Sequence, residues 1–285
     1  MTSNNKKLLS LLGLKWNPFL SDVPTEALYR RKDVASFIWR VENLVMDGGI
    51  TCVTGHPGYG KSVALRLIAE QLGGLRDVTV ARVDRPQSGL GDFYRELGEL
   101  FSVPLRVSNR YGGFQELRKK WRQHIDSTLF RPVLLIDEAQ AMQTVTLSEL
   151  RLLLADEFDS RRILTVVLGG DMRLAERLKD IDLLPLDRRI RSRLVLTALP
   201  DEEMRKMLEH ALTAAGNKQL MTPAVMETIV AHSAGNPSTM MNTADELLAR
   251  AIATERSQID EKLFFEMYEI PKPKSPKGPT PGRRS

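Results

Sequence analysis

The chain has 285 residues, of which 42% are hydrophobic and 27% charged, with a net charge of +5; this suits one domain with a sizeable core plus a smaller appendage. A single cysteine, Cys52, excludes an intrachain disulfide, and four histidines without metal-ligand spacing argue against a zinc site. No apolar run reaches the ~18 residues of a membrane span and no signal segment opens the chain, so we expect a cytoplasmic protein with no membrane partner.

Residues 1–30 are predicted to form an N-terminal strap ahead of the first helix. The segment contains Trp16, Pro18 and Phe19. Aromatic side chains beside a proline anchor many terminal segments, so we expect Trp16 and Phe19 to pack on the core. The alternative is that they cover an adenine ring.

A strand, a glycine loop and a helix follow one another near residue 55. Residues 50–54 are mostly β-branched, and residues 62–72 carry apolar side chains at helical spacing. The loop fits G-x-x-x-x-G-K-[ST], in which backbone N–H groups and the lysine hold phosphates and the hydroxyl holds Mg²⁺. The residues predicted to bind nucleotide here are Gly55, His56, Pro57, Gly58, Tyr59, Gly60, Lys61, Ser62 and Val63. ATP and Mg²⁺ are therefore the expected cofactors, with Lys61 also catalytic and Ser62 a metal ligand.

Two carboxylates follow a second buried strand. Residues 132–136 form a continuous apolar run that ends in Asp137 and Glu138. The carboxyl ends of strands in a doubly wound sheet hold the ligand. We therefore expect Asp137 to bind the cofactor and orient Mg²⁺, and Glu138 to polarise the attacking water in ATP hydrolysis.

Basic side chains cluster between a strand at residues 78–83 and the strand at 132–136, where residues 92–100 and 114–129 are predicted helices. Salt-sensitive, sequence-independent contact with DNA is one interpretation. The other is a solvated helix face, because Leu117, Trp121 and Ile125 recur at core spacing. The predicted DNA contacts are Arg85, Arg106, Arg110, Lys119 and Lys120.

The pattern becomes helical after strands predicted at residues 163–168 and 193–199. Helices are predicted at residues 201–215, after Thr222, and at residues 239–256. The alternation predicts an α/β core at residues 31–199 with a parallel sheet flanked by helices, and an all-helical lid at residues 200–270. The methionines expected in the lid core are Met204, Met207, Met221, Met226, Met240 and Met241.

The last 15 residues, 271–285, hold five Lys or Arg and no acid, so residues 1–270 carry 36 basic and 36 acidic side chains. A Pro-, Gly- and Lys-rich segment cannot build a core. It is predicted to be a disordered basic tail, which serves either solubility or contact with nucleic acid or a protein partner.

Together these features resemble AAA+ ATPases over roughly residues 10–270. The resemblance rests on the phosphate loop, the strand ending in Asp137 and Glu138, the strand ending in Gly169, Gly170 and Asp171, an Arg-rich segment and the lid. It implies an AAA+ phosphate-loop fold with a five-stranded parallel sheet. Residues 11–19, Leu-Leu-Gly-Leu-Lys-Trp-Asn-Pro-Phe, resemble the ExeA-like branch, whose relatives include transposition-regulator ATPases of the TniB, TnsC and Mu B kinds.

The resemblance implies further site residues. Arg189, or else Arg193, would reach the nucleotide of a neighbouring subunit as an arginine finger; the alternative is that both pair with surface acids. Asp171 stands at the position of a γ-phosphate sensor, but its carboxylate would repel phosphate, so it is equally expected as the N-cap of a helix at residues 172–179. Ser238 stands where the branch has a nucleotide-contacting arginine, which predicts slow hydrolysis.

The resemblance also implies a biological role. We expect a DNA-binding ATPase that assembles as a homo-oligomeric ring or helical filament on duplex DNA. It would recruit or activate a transposase, with a target-selection protein as a further partner, in DNA transposition. Two alternatives stay open: an ExeA-like secretion ATPase, and a nucleotide-gated adaptor of the helicase-loader type.

Overall fold

A five-stranded parallel sheet forms the centre of the protein, as predicted. The structure, a computed structural model, describes residues 10–104, 110–128, 130–157 and 160–268. Its strands are β1 Gly49–Gly55, β2 Val78–Val83, β3 Arg131–Ile136, β4 Ala155–Asp156, β5 Arg161–Arg162, β6 Thr165–Gly170 and β7 Ile190–Leu196. The sheet order is β2-β3-β6-β1-β7, with every pairing parallel, and β4 and β5 form a separate antiparallel pair. The basic tail and Arg106 lie outside the described residues.

Helices cover both faces of the sheet and continue beyond it. The helices of the α/β part are α1 Lys32–Asp47, α2 Lys61–Gly73, α3 Leu90–Leu100, α4 Arg110–Thr128, α5 Thr144–Leu154, α6 Met172–Arg177 and α7 Leu184–Asp187. Those that follow are α8 Asp201–Ala215, α9 Pro223–Ser233, α10 Pro237–Ala253 and α11 Glu261–Tyr268. None of the described helices is long and apolar enough to cross a membrane.

The continuous apolar run of β3 is explained by burial on both faces. Leu134 and Ile136 belong to a core shared with α3, α4 and α5, whereas Val133 and Leu135 belong to a second core shared with α1 and α2. Successive strand residues point to opposite faces, so a strand covered on both sides needs apolar residues throughout.

Two strands differ from their predicted bounds: β6 is shifted by two residues toward the carboxyl terminus, and β7 by three residues toward the amino terminus. β6 runs from Thr165 to Gly170, whereas the strand was predicted at residues 163–168. A Cβ atom on Gly169 would lie 2.5 Å from Leu65 Cδ1 of α2, so the glycine permits close packing of helix on sheet. β7 ends at Leu196 rather than 199, because the next residues turn toward the lid.

A separate hydrophobic cluster holds the helices α8 to α11 together as the lid. Met204, Met221, Met226 and Met240 are buried in it, and Met207 and Met241 pack against it, which confirms their predicted place. The Thr222 side chain accepts a hydrogen bond from the backbone of α9, and Pro223 begins that helix. α10 begins at Pro237, two residues before the predicted start.

The strap packs on the lid, which corrects the expected packing on the α/β core. Leu14 and Phe19 are buried within the lid cluster and Trp16 packs against it. The Lys15 backbone N–H donates to the Ala215 carbonyl oxygen at 2.8 Å. The apolar side chains of the strap are part of the same hydrophobic cluster as the lid helices, so their burial stabilises the strap on the lid.

The strap also contacts the α/β core, through one arginine of α2. The Arg66 guanidinium donates to the carbonyl oxygens of Ser21 and Val23 and, through Nε, to Thr25 Oγ1 at 3.1 Å. Residues 12–25 therefore connect the lid with the helix that follows the phosphate loop.

Candidate nucleotide site

The phosphate loop lies between β1 and α2 at the carboxyl-terminal edge of the sheet. Gly58 and Gly60 have φ angles of 83° and 90°, in the left-handed region that glycine adopts without steric cost. α2 begins at Lys61, directly after the loop. The unpaired N–H groups of the first helical turn and the loop backbone thus form the kind of concave surface that binds phosphate.

Lys61 is the buried cation of this site. Only 8% of the residue is exposed, and Nζ donates to the His56 carbonyl oxygen at 3.2 Å across the loop. It makes no ion pair with any acid among the described residues. A buried ammonium without an ion-pair partner is costly. The loop therefore fits a phosphate-bearing ligand that would supply the missing anion.

Ser62 and Asp137 meet beside Lys61, although 75 positions separate them in the sequence. Ser62 Oγ donates to Asp137 Oδ2 at 3.2 Å. A hydroxyl and a carboxylate at this position offer the oxygen ligands that Mg²⁺ prefers. The predicted metal ligands are thus brought together at the carboxyl-terminal edge of the sheet, Ser62 by the helix that follows β1 and Asp137 by the end of β3, with β6 between the two strands.

Glu138 is held in a left-handed backbone conformation, with φ of 52°, at the end of β3. Its backbone N–H donates to Asp137 Oδ1 at 2.8 Å, and its side chain accepts a hydrogen bond from Gln140 Nε2. A non-glycine residue in this region of φ costs free energy, which is characteristic of functional sites.

Gln140 connects the Glu138 side chain to the end of β6. Its amide nitrogen donates to Glu138, and Oε1 accepts from the Asp171 backbone N–H at 3.1 Å. A Cβ atom on Gly170 would lie 2.6 Å from that oxygen, so the glycine leaves room for the contact. The sequence offered no signal for this role beyond the position of Gln140 two residues after Glu138.

Asp171 is the N-cap of α6, one of its two predicted roles. Its Oδ1 accepts from the Arg173 backbone N–H at 2.9 Å, and Oδ2 forms an ion pair with the Arg173 guanidinium at 2.6 Å. The hydrogen bond from the Arg173 side chain lowers the pKa of the Asp171 carboxyl, with a smaller contribution from the charge of Lys61. Arg173 is therefore a cation next to the site that sequence analysis missed.

The lid contacts the phosphate loop directly at the start of α10. The Ser238 backbone N–H donates to the Gly58 carbonyl oxygen at 3.1 Å, and Asn236 Nδ2 donates to the Pro57 carbonyl oxygen at 3.4 Å. Asn236 Oδ1 also caps α10 by accepting from the Ser238 and Thr239 backbone. A Cβ atom on Gly58 would lie 2.4 Å from that oxygen. Because residue 58 has no side chain, the loop and the lid can approach each other closely at this point.

Arg31, the residue just before α1, also supports the phosphate loop. Arg31 is 7% exposed, pairs with Asp33 at 2.7 Å and directs NH1 to the Tyr59 carbonyl oxygen at 3.4 Å. Its place beside the loop arises from tertiary packing, which the sequence pattern did not indicate.

The two finger candidates lie at the lateral edge of the sheet. Arg189 precedes β7 and donates from NH1 to the Pro185 carbonyl oxygen at 3.0 Å. Arg193 lies within β7 and pairs with Asp187 at 2.6 Å, which matches the surface-pairing alternative for this residue. Arg189 also lines an open groove of about 550 Å³ with Ile181, Leu184, Pro185 and Arg188.

The predicted DNA contacts are divided between exposed and structural positions. Arg85 and Lys119 are exposed. Lys120 Nζ donates to the carbonyl oxygens of Phe101 and Ser102 at 2.7 and 3.1 Å, so it ties α4 to the end of α3. Arg110 is the first residue of α4. Lys120 is therefore better explained as a structural cation than as a free one.

The core stripe predicted along α4 is confirmed. Leu117, Trp121 and Ile125 are all buried. Arg118, between them in sequence, pairs with the buried Asp156 at 2.7 Å.

Comparison with known proteins identifies the domain to which these residues belong. Residues 45–178 match a family model described as an AAA domain. The chain carries an AAA-family ATPase domain. That domain contains the phosphate loop, Asp137, Glu138 and Asp171, whereas β7 and the lid follow the matched range.

Individual proteins that are similar to this chain agree with that match. Over 264 residues, 90% of the chain, it is 28% identical to the general secretion pathway protein A of Aeromonas hydrophila, and it spans about half (47%) of that protein's length. Among solved structures it is similar to Cdc6p from Pyrobaculum aerophilum, with a TM-score of 0.66 and 13% identity, over 85% of this chain and 67% of that one. It is also similar to the Aeropyrum pernix ORC1 protein in complex with DNA, with a TM-score of 0.64 and 16% identity, over 87% of this chain and 67% of that one. At these identities the two structures establish the AAA+ fold alone.

Proposed function

We propose that the protein binds ATP with Mg²⁺ at the phosphate loop, assembles on duplex DNA and hydrolyses ATP slowly between subunits. The observation that carries the proposal is the buried, unpaired ammonium of Lys61 next to the Ser62–Asp137 contact. Mg²⁺, when bound, would neutralise part of the phosphate charge. The candidate ligands for it are Ser62 and Asp137.

Glu138 is the proposed general base. Its side chain is oriented by Gln140 and lies at the end of β3, beyond the metal ligands. A carboxylate in this place can accept the proton of the attacking water. Because Gln140 also accepts from the Asp171 backbone, a movement at the end of β6 would shift the base.

Slow turnover is proposed from the way the lid contacts the loop. Ser238 contributes only its backbone N–H to Gly58, so the lid brings no arginine side chain to the phosphates at this position. The contact made by Asn236 is with a loop carbonyl. The lid would therefore clamp the loop without stabilising the transition-state charge, and the ATP-bound state would persist.

The intersubunit step rests on Arg189, with Arg193 as second candidate. Arg189 lies on an open groove whose wall includes Ile181, 82% exposed. A large exposed apolar residue beside a cation suits a contact with another subunit. In a ring or filament, the guanidinium of Arg189 would then stabilise charge on the neighbouring subunit's nucleotide.

Action on DNA in transposition is the finer part of the proposal. The exposed Arg85 and Lys119 support a DNA contact by their charge, with Arg106, Arg110 and Lys120 as the other candidates. The role of recruiting a transposase is supported by the resemblance at residues 11–19, and a homo-oligomer is proposed as the active form.

A secretion ATPase is the second candidate. It is favoured by the similarity to general secretion pathway protein A, which covers 90% of this chain. This function requires no assembly on DNA, so the two candidates differ in one observable property.

Electron microscopy of the protein with duplex DNA, with and without a non-hydrolysable ATP analogue, tests the proposal. We expect rings or helices only when nucleotide and DNA are both present, and with the Glu138→Gln variant in ATP as well. The Lys61→Ala variant is the control and should not assemble. Monomers under all conditions would refute assembly on DNA and favour the secretion candidate.

A further inference from the structure

A cluster of arginines lies at the amino-terminal edge of the sheet. Arg131 begins β3, Arg162 ends β5 just ahead of β6, and Arg191 is the second residue of β7. Since all strands of the sheet run parallel, their starts share one edge, and the phosphate loop lies at the other. The residues that line this depression of about 390 Å³ are Met46, Asp47, Arg131, Ser160, Arg161, Arg162 and Arg191.

The positive charge of this arginine depression is only partly neutralised within the described residues. Arg161 pairs with Asp126. Arg131, Arg162 and Arg191 form no ion pair with any acid of the described chain. The Nε atom of Arg131 is buried and has no hydrogen-bond acceptor among those residues. Burying a guanidinium nitrogen without an acceptor is unfavourable, so a ligand that supplies anionic oxygens would be favoured.

One acid, Asp47, lines the depression, and it does not balance the arginines. Asp47 ends α1 and remains exposed, with no ion pair of its own in the described part of the chain. The lining therefore keeps an excess of positive charge that attracts polyanions.

The spread of the arginines suits an extended anion better than a single small ion. The sheet order places β6 and β1 between β3 and β7. Neighbouring strands lie about 4.8 Å apart, so the backbones of Arg131 and Arg191, near the starts of β3 and β7, are separated by roughly 14 Å. Guanidinium groups spread over this distance can contact more than one phosphate of a nucleic-acid strand.

An apolar surface borders the depression on the same side. Met46, one of the lining residues, is 57% exposed, and Trp39, two turns earlier on α1, is 65% exposed. Residues seven apart lie on one face of a helix, here about 10 Å from each other along its axis. Basic side chains next to an exposed aromatic ring are typical of surfaces that bind nucleic acid without sequence preference.

We propose that the arginine depression binds the phosphodiester backbone of nucleic acid. The proposal rests on the proposed function, in which the protein works on DNA, and assigns a contact surface that does not include any of the predicted DNA contacts. Arg85 follows β2 at the opposite edge of the sheet, so the two surfaces are separate.

The test is the salt dependence of duplex binding by the full chain. Binding of a labelled duplex of mixed sequence is measured between about 50 and 200 mM salt, where the logarithm of affinity falls by ~0.9 per phosphate contact for each unit of log salt. The variant Arg131→Gln/Arg191→Gln removes two of the cations. We expect its slope to be smaller by about 2 than that of the unmodified protein.

Two further variants separate the site from charge and folding effects. Arg205→Gln/Lys218→Gln removes the same charge from two exposed positions of the lid and should leave the slope unchanged. Arg191→Glu changes an exposed side chain, so the variant protein should fold normally and keep its ATPase rate in the absence of DNA. Its affinity for the duplex should nevertheless fall about tenfold. Unfolding temperature and ATPase rate are measured for each.

The outcomes distinguish this proposal from the proposed function. If the unmodified protein binds duplex and Arg131→Gln/Arg191→Gln keeps its slope, the arginine depression is not the contact and only this inference is overturned. If the unmodified protein does not bind duplex at all, action on DNA itself is refuted. If an acidic peptide binds the arginine depression and duplex DNA does not displace it, the occupant is a protein and the proposal fails.

Discussion

At the scale of single residues, the site combines a cation and a base that are each held by uncharged partners. Lys61 is fixed by a carbonyl oxygen and Glu138 by the amide of Gln140. Neutral partners fix geometry without neutralising charge. Both groups therefore remain available to a ligand, which suits a site that binds phosphate and activates water.

Glu138→Gln should separate nucleotide binding from turnover. The amide cannot accept a proton, so we expect ATP hydrolysis to fall by about 10²-fold or more while ATP affinity changes little. Steady-state turnover and equilibrium binding of a fluorescent ATP analogue measure the two effects. Glu70→Gln, an exposed position on α2, is the control. Unchanged turnover in Glu138→Gln would assign the base elsewhere.

Cys52 should make stability depend on pH in the alkaline range. Burial raises the pKa of its thiol from 9.0 to about 12, so above pH 9 the unfolded chain releases a proton that the folded chain keeps. The free energy of unfolding should therefore fall as pH rises between these values. Urea unfolding at several pH values measures the decline, which should be shallower in Cys52→Ala; an equal decline would contradict the assignment.

At the scale of elements, the start of α10 serves both the lid and the phosphate loop. Asn236 caps the helix with its oxygen and reaches the loop with its nitrogen. Pro237 then fixes the first turn. A movement of the phosphate loop would therefore displace the amino-terminal end of α10, a 17-residue helix of the lid.

Asn236→Ala should weaken both the lid and the hold on nucleotide. Loss of an N-cap costs about 1 kcal/mol, and loss of the contact with the loop should speed ADP and ATP release. Thr222→Ala removes the cap of α9, away from the loop, and is the matched control. We expect similar losses of stability from the two variants in thermal unfolding, but faster release in stopped-flow experiments only from Asn236→Ala. Equal release rates would remove the coupling role.

Sequence patterns predicted the parts of the site that are local in the chain. The phosphate loop, and Asp137 and Glu138 after β3, each follow a buried strand, so apolar runs and glycines identify them. Arg31 and Gln140 reach the site through tertiary packing, which periodicity does not encode.

Strand ends and the strap partner were missed for a related reason. β6 extends through Gly169 and Gly170 because α2 packs closely there, although glycines usually indicate the end of a strand. The strap carries the same apolar residues whether it covers core or lid. Only the packed structure distinguishes these arrangements.

At the scale of the whole molecule, the phosphate loop and the proposed arginine finger lie on different parts of the surface. The phosphate loop occupies one end of the sheet, whereas Arg189 precedes the edge strand β7. An arginine at the lateral edge of the sheet is placed to contact the nucleotide of a neighbouring subunit, so we expect the complete ATPase site to form only in the oligomer.

Mixing two inactive variants tests the intersubunit site. Lys61→Ala disables the nucleotide site and Arg189→Ala the finger, which should cost about 10³-fold in turnover. If the finger acts between subunits, a mixture should regain part of the ATPase rate in the presence of DNA, because some interfaces join two intact halves. Arg188→Ala, an exposed neighbour on the same groove, should stay active. A mixture as inactive as its components would place the finger within one subunit.

The strap limits how far the lid can travel. Phe19 is buried with the lid, whereas the carbonyl of Ser21 is held by Arg66 of the α/β core. Two residues span at most about 7 Å even when fully extended. The link at residues 197–200 between β7 and the lid therefore cannot let the lid move far from the α/β core while both anchors hold. Nucleotide exchange must proceed through a narrow opening, or else begin with release of the chain's own first segment.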